Sequence, residues 1–123
     1  MLKRISVVLL LVVAACSKSA APAPASTRKD PVAARALIEK GAVVIDVRTA
    51  DEFAAGHLPD ATNIVVQDFA SHLGDVDKLV ASDHSRPIVV YCAAGGRAAK
   101  AKAQLEAAGY THVVNGGGYD DLH

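Results

Sequence analysis

Three short runs rich in valine and isoleucine, at residues 42–47, 88–91 and 111–114, limit what this chain can fold into. They are too short for free-standing helices, and the first two are apolar at nearly every position rather than at alternate ones, as strands covered on both faces are. Helical patterns separate them. Asp30-Pro31 reads as an N-cap followed by proline at the first helical position, and Val32, Ala36 and Leu37 recur at helical spacing until Gly41 supplies a stop. Ala98, Ala101, Leu105 and Ala108 line one face of a second helix that ends at Gly109. Strands alternating with helices predict an α/β domain with a mainly parallel sheet.

The intervening segments fill out that order. Residues 49–55 read as a short helix, 56–60 as a turn and 62–66 as a brief strand. Residues 69–72 and 76–80 read as short helices parted near Gly74, 82–87 as a polar turn, and 115–118 as a glycine-rich turn. No internal repeat is visible.

Composition changes sharply near Asp30. All 13 acidic residues lie from Asp30 onward, whereas Lys3, Arg4, Lys18, Arg28 and Lys29 take five of the 13 basic ones, so residues 30–123 carry 8 minus 13, or −5. An acidic unit without a basic stripe lacks the phosphate-neutralising charge that non-specific nucleic-acid binding depends on, and nucleic acid is not an expected partner.

Ahead of that unit, a positive start at residues 1–4 leads into an apolar run at 5–15 and then directly to Cys16, the order of parts of a secretion signal. Eleven residues reach only about 16 Å as a helix, well short of a ~30 Å hydrocarbon core. Val13-Ala14-Ala15-Cys16 resembles the lipobox of bacterial lipoproteins, in which the cysteine is acylated. Residues 17–29, rich in Ala, Pro and Ser, suit a tether. The expectation is a signal peptide at 1–15, a lipidated tether at 16–29 and a folded domain at 30–123, on an exported periplasmic or cell-surface lipoprotein that meets the membrane through Cys16. Ser17, not an acidic residue, follows that cysteine and favours the outer membrane; an unacylated protein would be soluble in the same compartment. The domain is expected to be a monomer.

With Cys16 lipidated, Cys92 is the one remaining thiol and no internal disulfide is possible. It ends a predicted buried strand and precedes Ala93-Ala94-Gly95-Gly96-Arg97 and a helix. Ligand sites of open α/β sheets lie at this end of the strands. Gly95 and Gly96 leave backbone N–H groups unobstructed, and the positive end of the helix adds to their field, so the loop suits an anion. A free thiol of pKa ~8.5 is about 3% ionised at pH 7, whereas one of pKa ~6.5 is about 76% ionised, a difference worth ~2.7 kcal/mol.

Val44-Ile45-Asp46-Val47-Arg48, Glu52-Phe53, Gly56-His57-Leu58-Pro59, the Cys92 loop and Asn115-Gly116-Gly117, in that order, resemble the rhodanese family over nearly all of residues 30–122. The resemblance implies a five-stranded parallel sheet with helices on both sides, and a sulfurtransferase in which Cys92 is the nucleophile. Cys92 would attack a small anionic donor such as thiosulfate, carry the sulfur as a persulfide, and yield it to cyanide or a thiol. Ala93, Ala94, Gly95, Gly96 and Arg97 would bind the substrate, with the Arg97 guanidinium forked on donor oxygens. No metal or organic cofactor is implied.

Other readings stay open. Related phosphatases and arsenate reductases resemble Cys, five residues, then Arg; four intervene here, a smaller ring that suits sulfur better than a tetrahedral oxyanion. A non-catalytic module that binds sulfur or a partner, and an inert core thiol, also fit. Ala93, Ala94 and Ala98 replace polar or hydroxyl residues of many thiosulfate-using relatives, Asp60 replaces a glycine, and Tyr119 stands near a family Trp. Asp46 and Arg48 are expected to tie loops together behind the site, His57 to pack a turn, and His72, His84, His112 and His123 show no metal-ligand spacing.

Overall fold

The computed structural model describes residues 28–123. The signal-peptide, lipidation and most of the tether expectations, including Cys16, fall outside the described residues.

Helix α1 (Pro31–Glu39) starts as its sequence dictates: Asp30 Oδ1 accepts from the Ala33 N–H at 3.0 Å and Pro31 fills the first turn. Strand β1 (Val43–Asp46) follows, then α2 (Ala50–Ala55), opened by a reciprocal cap in which Thr49 accepts from the Glu52 N–H and Glu52 accepts from that of Thr49. Next come β2 (Thr62–Asn63), a 3₁₀ segment (Val66–His72), α3 (Leu73–Leu79), β3 (Ile88–Cys92), α4 (Gly96–Ala107), β4 (Val113–Gly118) and a last turn, α5 (Tyr119–Leu122).

The strands are all parallel in the order β2-β1-β3-β4. The connection after β1 leads to one edge of the sheet and the connection after β3 to the other. The switch point therefore falls between β1 and β3, where open sheets place their ligands, and Cys92 stands at that end of β3. The main core lies on one face, where Ile45, Val47, Val90 and Cys92 meet Phe69, Val76, Ala98, Ala101 and Leu105. The other face is smaller: Val44, Leu58 and Tyr91 pack with Ile38, Tyr119 and Leu122.

The α/β architecture and flanking helices are as expected, but several details differ. Among the described residues the sheet has four strands rather than five; at the β4 edge a single parallel bridge, Lys29 to Asn115, stands beside the Asp30 N–H to Asn115 carbonyl bond of 2.7 Å. The predicted strand at 62–66 shortens to two residues, and beside it the Asn63 amide donates to the Asp46 and Arg48 carbonyls at 3.0 and 2.9 Å. The two helices expected around Gly74 begin earlier and abut, with Gly74 inside α3. Residues 115–118 form no separate turn but complete β4. Their glycines answer to packing: a Cβ on Gly116 would lie 2.8 Å from Leu122 Cδ1 and 3.2 Å from both Ala34 Cβ and Val89 Cγ1, so α1 and α5 can lie close on this strand only where side chains are missing.

Candidate active site

Strand β3 delivers Cys92 to the switch point, and the chain then turns sharply into α4. Gly95 makes that turn possible with φ 108° and ψ −14°, a left-handed conformation that a side chain would strain. Its N–H points back at Cys92 Sγ at 2.9 Å.

Burial, which by itself raises a thiol pKa, is the largest single influence on Cys92. It is outweighed by the combined backbone N–H groups of Ala98, Ala94, Gly95 and Arg97, and the thiol is held below its ordinary value. The loop was expected to supply this field from residues 93–97. Ala98, in the first turn of α4, is the strongest of the amide contributors, and its role follows from the helix starting at Gly96 rather than at Ala98. Cys92 is 1% exposed while Ala93 and Ala94 are exposed, so the sulfur lies beneath the loop and a donor must arrive past those two small side chains.

Arg97 reaches Glu52 rather than open solvent. Nη1 to Oε1 is 2.7 Å and Nη2 to Oε2 is 3.1 Å, a two-point fork with both side chains about one-third exposed, at 32% and 35%. The hydrogen bond from Arg97 is the chief reason the Glu52 carboxyl falls to about 2, aided by Thr49 against partial burial. Arg97 is raised first by Glu52 and also by Cys92, which places its positive charge beside the sulfur. The sequence reading quoted Glu52 only as part of a motif and missed this partnership. The place of Glu52 at the third position of a capped helix gave no sign of Arg97, 45 residues away.

Asp46 and Arg48 lie on the other face of β1, away from Cys92. Arg48 Nη2 donates to Asp46 Oδ2 and to the Gly56 carbonyl, both at 2.7 Å, and its guanidinium carbon sits 5.6 Å and 4.9 Å from the Tyr91 and Tyr119 ring centres. The Leu58 N–H donates to the Tyr91 hydroxyl at 3.0 Å, and burial pushes that hydroxyl up to about 12. The Gly56-to-Pro59 motif is thus anchored to β1 and β3. His57 stacks on Phe53 with ring centres 3.6 Å apart. His72 and His84 pair with Asp75 and Asp77 at 2.8 Å, and His123 bonds the Tyr119 carbonyl. Among the described residues no group of three or more His, Cys, Asp or Glu is placed to hold a metal.

The floor of the loop is β4. Asn115, 1% exposed, donates from Nδ2 to the Gly95 carbonyl at 2.9 Å and accepts from the Gly117 N–H at 2.9 Å, and a Cβ on Gly118 would overlap the Ala93 carbonyl.

A family model described as Rhodanese-like domain matches residues 30–122. The chain belongs to the rhodanese family. Among curated relatives of this rhodanese-like chain, "Thiosulfate sulfurtransferase GlpE" of Pseudomonas savastanoi pv. phaseolicola is 36% identical over 92 residues, 73% of this chain and 81% of that one. "Protein HIGH ARSENIC CONTENT 1, mitochondrial" of Arabidopsis thaliana is 36% identical over 102 residues, 73% of this chain and 57% of that longer one. A solved structure titled "rhodanese with anions from E. coli" superposes with a TM-score of 0.59 at 32% identity, covering 67% of this chain and 92% of that one.

Proposed function

We propose that this rhodanese-like domain is a sulfurtransferase that moves sulfane sulfur from thiosulfate or a related anionic donor to cyanide or a thiol through a persulfide on Cys92. The observation that carries this reading is the aim of the loop amides at the thiol, with the Gly95 nitrogen 2.9 Å from Sγ. A thiolate stabilised by fixed peptide dipoles forms at lower pH than that of an ordinary cysteine without a general base, and the same dipoles suit the terminal sulfur of a persulfide anion.

The reaction has two displacements. The Cys92 thiolate attacks the outer sulfur of thiosulfate; a sulfur–sulfur bond forms to Cys92, the bond to the sulfonate breaks, and sulfite leaves with its electron pair. Cyanide then attacks the outer sulfur, thiocyanate departs, and the Cys92 thiolate is restored. Ala93 and Ala94 form the approach, Gly95 and Gly96 permit the turn, and Arg97 supplies positive charge beside the sulfur while Glu52 fixes its orientation. Asp46 and Arg48 hold the Gly56 segment on the opposite face.

The four residues between Cys92 and Arg97 make a ring tighter than the five-residue loop of the phosphatase and arsenate reductase type, and favour sulfur as cargo. The same proposal extends to location: export, acylation at Cys16 and a tether to residue 29 place the domain as a monomer at a membrane surface in the periplasm or on the cell exterior, the outer membrane being favoured.

Thiocyanate release from thiosulfate and cyanide tests the activity, with arsenate reduction assayed in parallel. The wild-type protein should form thiocyanate and Cys92→Ala should not. A wild-type protein that forms none would leave the domain a binding module.

A further inference from the structure

Among the described residues, a polar side chain of β4 holds the sulfur loop from below. In β4, Asn115 is buried among valines and glycines, and its amide spans two pieces of the site: Nδ2 donates to the Gly95 carbonyl and Oδ1 accepts from the Gly117 N–H, each at 2.9 Å. Those partners fix which way the amide faces, since a carbonyl can only accept and an N–H can only donate. The Gly95 carbonyl also takes the Ala99 N–H at 2.9 Å, the first bond of α4. Gly95 is therefore held at both ends, with its N–H on Cys92 Sγ and its carbonyl on Asn115 and Ala99.

We propose that Asn115 is a positioning residue for the sulfur nucleophile: by gripping the Gly95 carbonyl it keeps the left-handed turn at Gly95, and with it the ring of N–H groups, aimed at Cys92. Glycine has no side chain to hold such a conformation, and none of Ala93, Ala94, Gly95 and Gly96 carries a polar side chain that would. Beside the Cys92 and Ala99 contacts, Asn115 adds a grip from the neighbouring strand. A leucine would fill similar volume and leave the carbonyl with the helix bond alone. An aspartate would keep the acceptor for Gly117 but set a carboxylate against the Gly95 carbonyl.

The proposal rests on Cys92 as the nucleophile. Its test reads the thiol directly, by ultraviolet titration of the thiolate in the full chain as wild type, Asn115→Leu, Asn115→Asp and the control Lys102→Met. That control removes a different buried polar contact to β4, Lys102 Nζ to the Val113 carbonyl at 2.7 Å. The charged groups beside the thiol, Arg97 and Glu52, are unchanged throughout. Asn115→Leu should raise the Cys92 midpoint by about 0.5–1 pH unit and, at pH well below both midpoints, slow persulfide formation by roughly 3–10-fold, in line with the thiolate lost. Asn115→Asp should raise it at least as far, and Lys102→Met should leave it in place. A folded Asn115→Leu with the wild-type midpoint would overturn the proposal. So would loss of folding in both Asn115 variants, which would make the side chain a requirement of the fold rather than of the thiol. Because the titration involves no sulfur transfer, a wild-type protein without thiocyanate-forming activity would remove the functional reading and still leave this experiment to decide Asn115.

Discussion

Arg97 and Glu52 face each other in a two-point fork, 2.7 and 3.1 Å, that joins the first turn of α4 to the first turn of α2 beside Cys92. Two of the guanidinium's donors are committed before any substrate arrives, so Arg97 acts on the site chiefly as an oriented positive charge. Glu52 is engaged twice, since the same carboxylate caps its own helix.

The fork makes stability depend on pH in a set direction. The folded Glu52 carboxyl is depressed to about 2 from 4.5, so the stability it contributes is present above the unfolded value and is lost as pH falls through about 2. Glu52→Gln should cost about 0.5–1 kcal/mol at neutral pH, as expected for a partly exposed pair. Denaturant unfolding of the two proteins should give a difference that narrows below the unfolded carboxyl's range and closes near the folded one.

Cys92 should react as a thiolate at lower pH than an ordinary cysteine. Its pKa is depressed by the four amides despite burial, so the midpoint of its pH-dependent alkylation should fall below that of the same cysteine in the unfolded chain. Iodoacetamide rates across neutral pH, in the folded and the unfolded protein, give the comparison. Equal midpoints would remove the electrostatic argument.

Gly118 should tolerate no side chain. A Cβ there would overlap the Ala93 carbonyl, and because that atom is loop backbone, the loop itself must move. Gly118→Ala should therefore lower persulfide formation by at least about tenfold, the rate equivalent of ~1.4 kcal/mol, through displaced amides. Gly74→Ala, at a helical position where a Cβ meets nothing within 4 Å, should leave the rate unchanged.

Arg48→Met should act on stability rather than chemistry. It leaves the fully buried Asp46 carboxylate without its cationic partner and the Gly56 carbonyl without a donor, which should cost about 3–5 kcal/mol. Chemical denaturation reads this loss directly, and the thiolate midpoint of the folded fraction should stay close to wild type.

The sequence exposed those parts of the fold that local chemistry dictates. Asp30-Pro31, the Val and Ile runs of β1 and β3, and the apolar stripe of α4 each carry their own signal, and the placement of Cys92 at a strand end before a helix follows from them. Contacts between distant segments were hidden. Gly116 to Gly118 read locally as a turn, because glycine marks both turns and close packing, and only the approach of α1, α5 and the Ala93 carbonyl separates the two. Asn115 carried a recognisable motif but gave no sign of its partner, Gly95, which is 20 positions away. The same is true of Glu52 and Arg97, 45 apart.

The most direct test of the central claim, that loop peptide dipoles let Cys92 hold a second sulfur atom, is the intact mass of the protein after mixing with thiosulfate. A gain of one sulfur, about 32 Da, that cyanide reverses and Cys92→Ala abolishes is the expected result for a covalent intermediate. An unchanged wild-type mass, or a gain that persists in Cys92→Ala, would contradict it.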